Sequence, residues 1–339
     1  MSLADFYSKL LELAPSEYKD IDYIDHIASL FERYIAIVSG FAPEPSIQDK
    51  FNARLPEIEG YCNSIVRAVD LYYKGQYSQS FIEVKRCLDK LPSWKVAHKL
   101  PGYRMRVLDE GCMPTFEGMF HIPFNRRGIV STQRYSSPGQ PCLYLGLSPY
   151  ACWEEMGRPT LEKTYVSRFQ PKYYFMYLPF CIPFLEAWNN QEMANKKFLD
   201  DLLYFPFVMV SMVKVNKNNK NFKPEYIIPQ MVMQWLLESR SVDDDPTKKP
   251  IGVLYTSVHY NKDLNSKAWS LFENIAIPCF FDGEKKYSEK ISNWFSYTDP
   301  VRCDLEHVKL KDLTDEDKMI ALGDIMKDEN NYPIKSIKD

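Results

Sequence analysis

Glycine and histidine are scarce in this chain, at 13 and 5 of 339 residues. No two glycines stand two apart, so G-x-G is missing altogether, which excludes both the dinucleotide fingerprint and the phosphate-cradling P-loop. The eight cysteines come no closer than the ten residues between Cys142 and Cys152, so C-x-x-C is absent. The histidines form no H-x-x-x-H, and zinc chemistry has little footing. G-x-S-x-G is missing too. Charge is nearly balanced, 42 Lys and Arg against 45 Asp and Glu, for a net −3. That balance lacks the basic footprint of nucleic-acid binding. Apolar runs are short: residues 173–185 are interrupted by Pro179 and Pro183, and residues 202–213 by Pro206. Both fall below the roughly 20 residues a membrane span needs. Scattered cysteines without a signal-peptide pattern fit reduced thiols. These absences predict a soluble cytoplasmic protein without metal, nucleic acid or membrane contact.

What is abundant is aromatic: 23 Tyr, 20 Phe and 6 Trp, or 14% of the chain. Apolar spacing of three and four predicts helices over residues 3–13, 21–37 and 47–73, with a break at residues 40–45. Gly75 then divides a helical hairpin whose inward positions are Ala68, Leu71, Phe81, Val84 and Leu88. After residues 92–94 the pattern changes to short strand-like runs: YRMRV, GMFHIPF, CLYLGLS, TYVSRF, YYFMYLPF, PFVMVSMVKV, GVLYTSV and IPCFFD. The apolar run at 202–213 reads as a core strand. Helices are predicted at 150–156 and 226–238, and polar loops at 214–223 and 239–249. The expectation is an α+β chain with an all-α domain over 1–95, a strand-rich domain over 96–305 and a charged tail over 306–339, helical around 315–327.

Few residues could carry chemistry. Arg104 lies in the first strand-like run, and Arg134-Tyr135 opens RYSSPGQPCLYLGLSPYACWEEM. Ser148-Pro149 is a helix start, with Ser as N-cap and Pro in the first turn, and it leads to Glu154 and Glu155. Ser257 ends a strand beside His259. Arg, Tyr, Glu and Ser without metal suit one substrate class, a pyrophosphate-bridged nicotinamide nucleotide. A guanidinium donates two parallel charged hydrogen bonds to phosphate. An aromatic face attracts a cationic nicotinamide ring. A carboxylate stabilises the oxocarbenium-like state that forms when the glycosidic bond breaks. Each residue also has an ordinary reading. An arginine beside an aromatic is commonly a surface residue snorkelling over apolar neighbours. Ser257 serves equally as a strand-end cap, His259 as a partly exposed structural histidine, and Cys142 and Cys152 as small apolar packing.

Four ordered blocks resemble the RES domain family, named for its Arg, Glu and Ser. They are YRMRV with Arg104, RYSSPGQPCLYLGLSPYACWEEM, FKPEYIIPQMVMQWL, and GVLYTSVHYNK with Ser257; the resemblance covers about residues 97–299. The family's Tyr-to-Glu separation of about three turns leads from Tyr144 to Glu155. Adjacent glutamates lie about 100° apart on a helix, so only one faces a pocket, leaving Glu154 as a solvated surface charge.

The resemblance implies an ADP-ribosyltransferase-like fold of two packed sheets, with NAD as substrate and no prosthetic group. It implies that Arg104 holds a phosphate or ribose oxygen and Tyr144 lines the nicotinamide pocket. Glu155 would stabilise the oxocarbenium ion, and Ser257 would hydrogen-bond nicotinamide or ribose. Arg134 and Tyr135 are assigned to the pyrophosphate or to ordering the loop. The implied function is a toxin that destroys NAD by hydrolysis or phosphorolysis, in a toxin–antitoxin or anti-phage system. A protein antitoxin or regulator and a homodimer are the implied partners. Protein mono-ADP-ribosylation and a non-catalytic nucleotide-sensing module are the alternatives. The helical N-terminal domain and an insertion over 157–226 depart from the small toxins of that family.

Overall fold

A computed structural model of the chain describes residues 1–92, 100–109, 114–182, 191–216, 221–240, 245, 247–259, 272–281, 283, 285–304 and 314–337. The chain divides into two compact units, one of residues 1–93 and 179–235, the other of residues 94–178 and 236–339. The first break falls beside the boundary expected at 95. The helical unit nevertheless takes in a second stretch of chain, and the tail expected to stand apart belongs to the sheet unit.

Helix α1 (Leu3–Leu11) starts at a reciprocal cap, in which the Ser2 hydroxyl accepts from the Asp5 amide and the Asp5 carboxylate accepts from the Ser2 amide. Asp22 caps α2 (Tyr23–Ser39) by accepting from the Ile24 amide at 2.9 Å. Helices α3 (Gln48–Tyr73) and α4 (Tyr77–Leu88) form the expected hairpin. Gly75 turns the chain at φ +73°, a conformation that costs a glycine little. Ala68, Phe81, Val84 and Leu88 are buried as the periodicity predicts, and Leu71 is half-buried.

Strand β1 (Gly102–Val107) is followed by a one-turn helix, α5 (Phe116–Met119), where GMFHIPF reads as strand. The Thr115 hydroxyl accepts from the Gly118 amide at 3.3 Å, a local cap that competes with extension. Next come β2 (Cys142–Gly146), α6 (Pro149–Glu155), β3 (Thr164–Pro171) and β4 (Met176–Phe180).

Helix α7 (Gln191–Ser211) overturns the strand expected at 202–213. Every residue from Leu202 to Ser211 is buried, so this half of the helix has no polar face for a 3.6-residue period to reveal. Pro206 lacks the N–H that would bond the Leu202 carbonyl. The buried Tyr34 hydroxyl donates to that carbonyl instead, at 2.7 Å. Helix α8 (Ile227–Arg240) lies where the pattern places it.

The rest of the chain supplies β5 (Pro250–Thr256), β6 (Glu273–Pro278), α9 (Glu289–Trp294), β7 (Phe295–Thr298), β8 (Val301–Arg302), α10 (Asp315–Ile325) and β9 (Ile334–Ser336). The run IPCFFD reaches β6 only through Ile277 and Pro278. Met319, Leu322 and Met326 of the tail are fully buried, and β9 pairs with β7 through Thr298↔Ile334. The tail's apolar residues thus complete the sheet unit's core.

In place of two separate sheets, hydrogen bonds link nine strands among the described residues in the order β4-β5-β6-β2-β1-β3-β7-β9, with β8 on β3. The sheet is uneven. Strand β1 meets β3 along its whole length, Gly102↔Phe169 to Val107↔Thr164, and β2 meets β6 along its own, Cys142↔Pro278 to Gly146↔Asn274. Between β1 and β2 the register holds one pair, Tyr103↔Gly146. That narrow seam divides the sheet into two well-paired halves. Among the described residues, no helix is long and apolar enough to cross a membrane.

Candidate active site

The seam positions Arg104. One residue past the Tyr103↔Gly146 pair, its side chain is only 8% exposed, and its Nη1 donates to the Tyr144 carbonyl at 3.0 Å. A side chain thereby bonds a β2 carbonyl beyond the last β1–β2 pair. Among the described residues, Nε has no hydrogen-bond partner and the guanidinium makes no ion pair. Burial, with a smaller push from Arg106, lowers its pKa to about 9, so it remains a cation at neutral pH.

Register decides which side chains share a face. Gly146 pairs with Asn274, Asn274 with Tyr255, and Tyr144 with Ala276. Cross-strand partners point the same way and side chains alternate along a strand, so Tyr144, Tyr255 and Asn274 lie on one face. Helix α6 packs against this face at Gly146, where an added Cβ would lie 2.7 Å from the Cys152 Sγ. The Ser148 hydroxyl caps the helix by accepting from the Ala151 amide at 2.9 Å, and Pro149 occupies the first turn.

The two glutamates at the end of α6 separate as helix geometry requires. Glu154 is held by Arg158, Nη2 to Oε1 at 2.5 Å, with that guanidinium 5.1 Å from the Trp153 ring. Glu155 is exposed and turns to β6, where Asn274 Nδ2 donates to its Oε1 at 3.2 Å. Burial, and then the nearby Glu155 charge, raise the Tyr255 phenol well above its ordinary pKa. Burial and Cys142 do the same for Tyr144, so both hydroxyls are proton donors rather than bases at neutral pH. The Tyr144 hydroxyl donates to Ser136 Oγ at 3.2 Å. The buried Tyr135 ring lies 4.6 Å from that of Tyr255.

The structure therefore brings Tyr144, Tyr135 and Glu155 together around β2, β5 and β6, whereas Arg104 follows the Tyr103↔Gly146 pair on the other face of β1 and reaches β2 through the Tyr144 carbonyl. Ser257 is fully buried just beyond β5. Its amide donates to the Phe272 carbonyl at 2.8 Å, and its hydroxyl accepts from the His259 amide at 3.1 Å. That is the strand-end cap which the sequence also allows. Arg134 is half-buried in the turn closed by the Gln133↔Ser136 bridge.

Sequence reasoning missed Tyr255 and Asn274, because only strand register brings them beneath Glu155. It also passed over His121, which is fully buried, with Nδ1 2.8 Å from the Ile122 carbonyl and Nε2 accepting from the Ser288 amide at 2.9 Å. Burial lowers its pKa to about 4 and Arg104 pushes the same way, which makes it a neutral structural group. Among the described residues no three His, Cys, Asp or Glu side chains gather as a metal site would require.

Over 273 residues the chain is 28% identical to a Bacillus subtilis (strain 168) protein named "Putative toxin YopC". The match takes in 74% of this chain and 60% of that protein. No protein-family model matches the chain. No solved structure matches it either. The RES resemblance therefore rests on the four sequence blocks.

Proposed function

We propose that this chain is a toxin that destroys NAD by breaking the bond between nicotinamide N1 and ribose C1′. The observation that carries this reading is Arg104, a buried guanidinium with an unused Nε and no carboxylate partner among the described residues. An unpaired buried charge is costly, and a site that must bind an anion justifies that cost. The narrow β1–β2 seam supports an ADP-ribosyltransferase-like cleft, and the name carried by the Bacillus subtilis relative supports the toxin role.

In this mechanism Arg104 holds a phosphate or ribose oxygen, and Tyr144 lines the nicotinamide pocket with Tyr135 behind it. Arg134 steadies the pyrophosphate. Asn274 orients Glu155, whose carboxylate stabilises the cation that develops at C1′. The electron pair of the broken bond leaves with nicotinamide, which departs neutral. Water or phosphate then adds to C1′ and gives up a proton. Ser257 shapes the end of β5 and hydrogen-bonds nicotinamide or ribose only if its hydroxyl leaves the His259 amide. NAD is substrate here, not a resident cofactor. A toxin of this kind works in the cytoplasm and needs a protein antitoxin or regulator, as toxin–antitoxin and anti-phage systems provide.

The exposure of Glu155 favours one second reading, transfer of ADP-ribose to a protein. Incubating the full chain with adenine-labelled NAD, with and without phosphate, separates the two. Free ADP-ribose marks hydrolysis, and ADP-ribose 1-phosphate marks phosphorolysis. Labelled protein marks transfer, and unchanged NAD in both conditions contradicts the proposal.

A further inference from the structure

The helical unit holds a second concentration of aromatic side chains, unconnected with the proposed chemistry. Tyr18, Tyr23, Tyr72, Tyr73, Tyr77 and Phe222 line a pocket of about 550 Å³. Phe222 lies parallel to Tyr72 at 6.2 Å and edge-on to Tyr73 at 6.1 Å, while Tyr72 and Tyr77 meet edge-to-face at 4.7 Å. The rings are thus fixed by one another as walls.

Among the described residues the one charged side chain of the lining is acidic. Asp22 is part of the lining, which contains no Lys or Arg among the described residues. The neighbouring Glu225 is fully buried. Its Oε1 accepts from the Tyr18 hydroxyl at 2.7 Å and from the Asn216 amide at 2.8 Å, both lining residues. Its Oε2 is buried with no hydrogen-bond partner among the described residues. After burial itself, Asp22 and then Glu225 push the Tyr73 phenol up, so the field of both carboxylates reaches the wall.

Aromatic faces around a desolvated carboxylate repel anions and attract cations. The rim adds a second requirement. Ile21, Tyr73, Tyr77 and Phe222 are 40% to 59% exposed, more apolar surface than a small free amine would cover. Aromatic residues around a recessed pocket are the usual core of a protein–protein contact.

We propose that this pocket receives a lysine or arginine side chain presented by an exposed segment of a protein partner. The ammonium or guanidinium sits against the tyrosine faces, drawn by Asp22 and Glu225. The flanking residues of the partner cover the apolar rim.

The test is calorimetric titration of the full chain with Gly-Gly-Lys-Gly-Gly, with the same peptide acetylated on Nζ, and with n-butylammonium chloride. The lysine peptide is expected to saturate, at least about tenfold more tightly than the acetylated one. Two variants spare the fold. Asp22→Asn removes the charge but keeps an N-cap acceptor for Ile24, and Phe222→Ala truncates an exposed ring. Each should weaken the lysine peptide by about three- to tenfold without shifting Tm. The proposal is overturned if the lysine peptide does not saturate, if acetylation makes no difference, or if both variants bind like the native chain. Butylammonium binding as tightly as the peptide also overturns it, since the pocket would then serve a free amine.

Discussion

The two aromatic clusters of this protein are built from similar material around opposite charges. In the sheet unit, the Tyr135 and Tyr255 rings meet at 4.6 Å on the face of Tyr144, whose backbone carbonyl accepts from a buried cation, Arg104, that leaves its Nε unused. In the helical unit, Tyr18 and its neighbours lie near a buried anion, Glu225, one of whose oxygens is already bonded twice. Low-polarity surroundings exclude water and strengthen a buried charge of either sign. Under the two proposals the sign of that charge selects the ligand, phosphate in one case and a basic side chain in the other. The clusters also differ in how far the charged group supports the fold, and that difference can be measured.

The largest effect is expected at Arg104. Arg104→Met removes the charge but keeps an unbranched apolar side chain. NAD consumption should fall at least about 100-fold. Chemical denaturation should show stability within about 1 kcal/mol of the native chain, or above it, because an unpaired buried charge has been removed at the cost of one hydrogen bond. Glu225→Ala should do the reverse. It strands the Tyr18 hydroxyl and the Asn216 amide, at a cost of about 3 kcal/mol in the same measurement, and leaves turnover by the folded protein intact. Equal destabilisation by the two substitutions would break the comparison.

A smaller effect should appear with pH. His121 has an ordinary pKa of 6.5, lowered to about 4 in the folded chain by burial and by the Arg104 charge. Its contribution is therefore complete above the unfolded value of 6.5 and is lost as pH falls through about 4. Between pH 6.5 and 5 the loss should be about 2 kcal/mol in the urea-derived stability. A His121→Asn variant should lack that part of the slope. A slope unchanged by His121→Asn would show that the imidazole is not the group that titrates.

Much of the local structure was legible in the chain, because local chemistry determines it. Ser148-Pro149 announces α6, Gly75 announces the α3–α4 hairpin, and the adjacency of Glu154 and Glu155 already requires them to diverge. Three features were not legible, each for a physical reason. The second half of helix α7 is buried on every side, so its period is invisible there, and the hydrogen bond that compensates for Pro206 comes from Tyr34 in a distant helix. Asn274 and Tyr255 reach Glu155 only through the register of β2, β6 and β5, which no local pattern encodes. The tail reads as a charged segment, helical around 315–327, in which Met319, Leu322 and Met326 are few among the charges, yet these three are buried. The division at residues 179 and 235 has the same origin, since segment membership follows packing rather than order along the chain.

The central claim of the proposal is that Glu155, and not its neighbour, faces the substrate. NAD consumption by the full chain should therefore be measured with Glu155→Gln and Glu154→Gln side by side. Glu155→Gln should lose at least about 100-fold in rate. Glu154→Gln, which alters the pair with Arg158 and the contact with the Tyr150 hydroxyl, should keep native turnover. Loss of activity in Glu154→Gln with full activity in Glu155→Gln would contradict the account, as would a native chain that consumes no NAD.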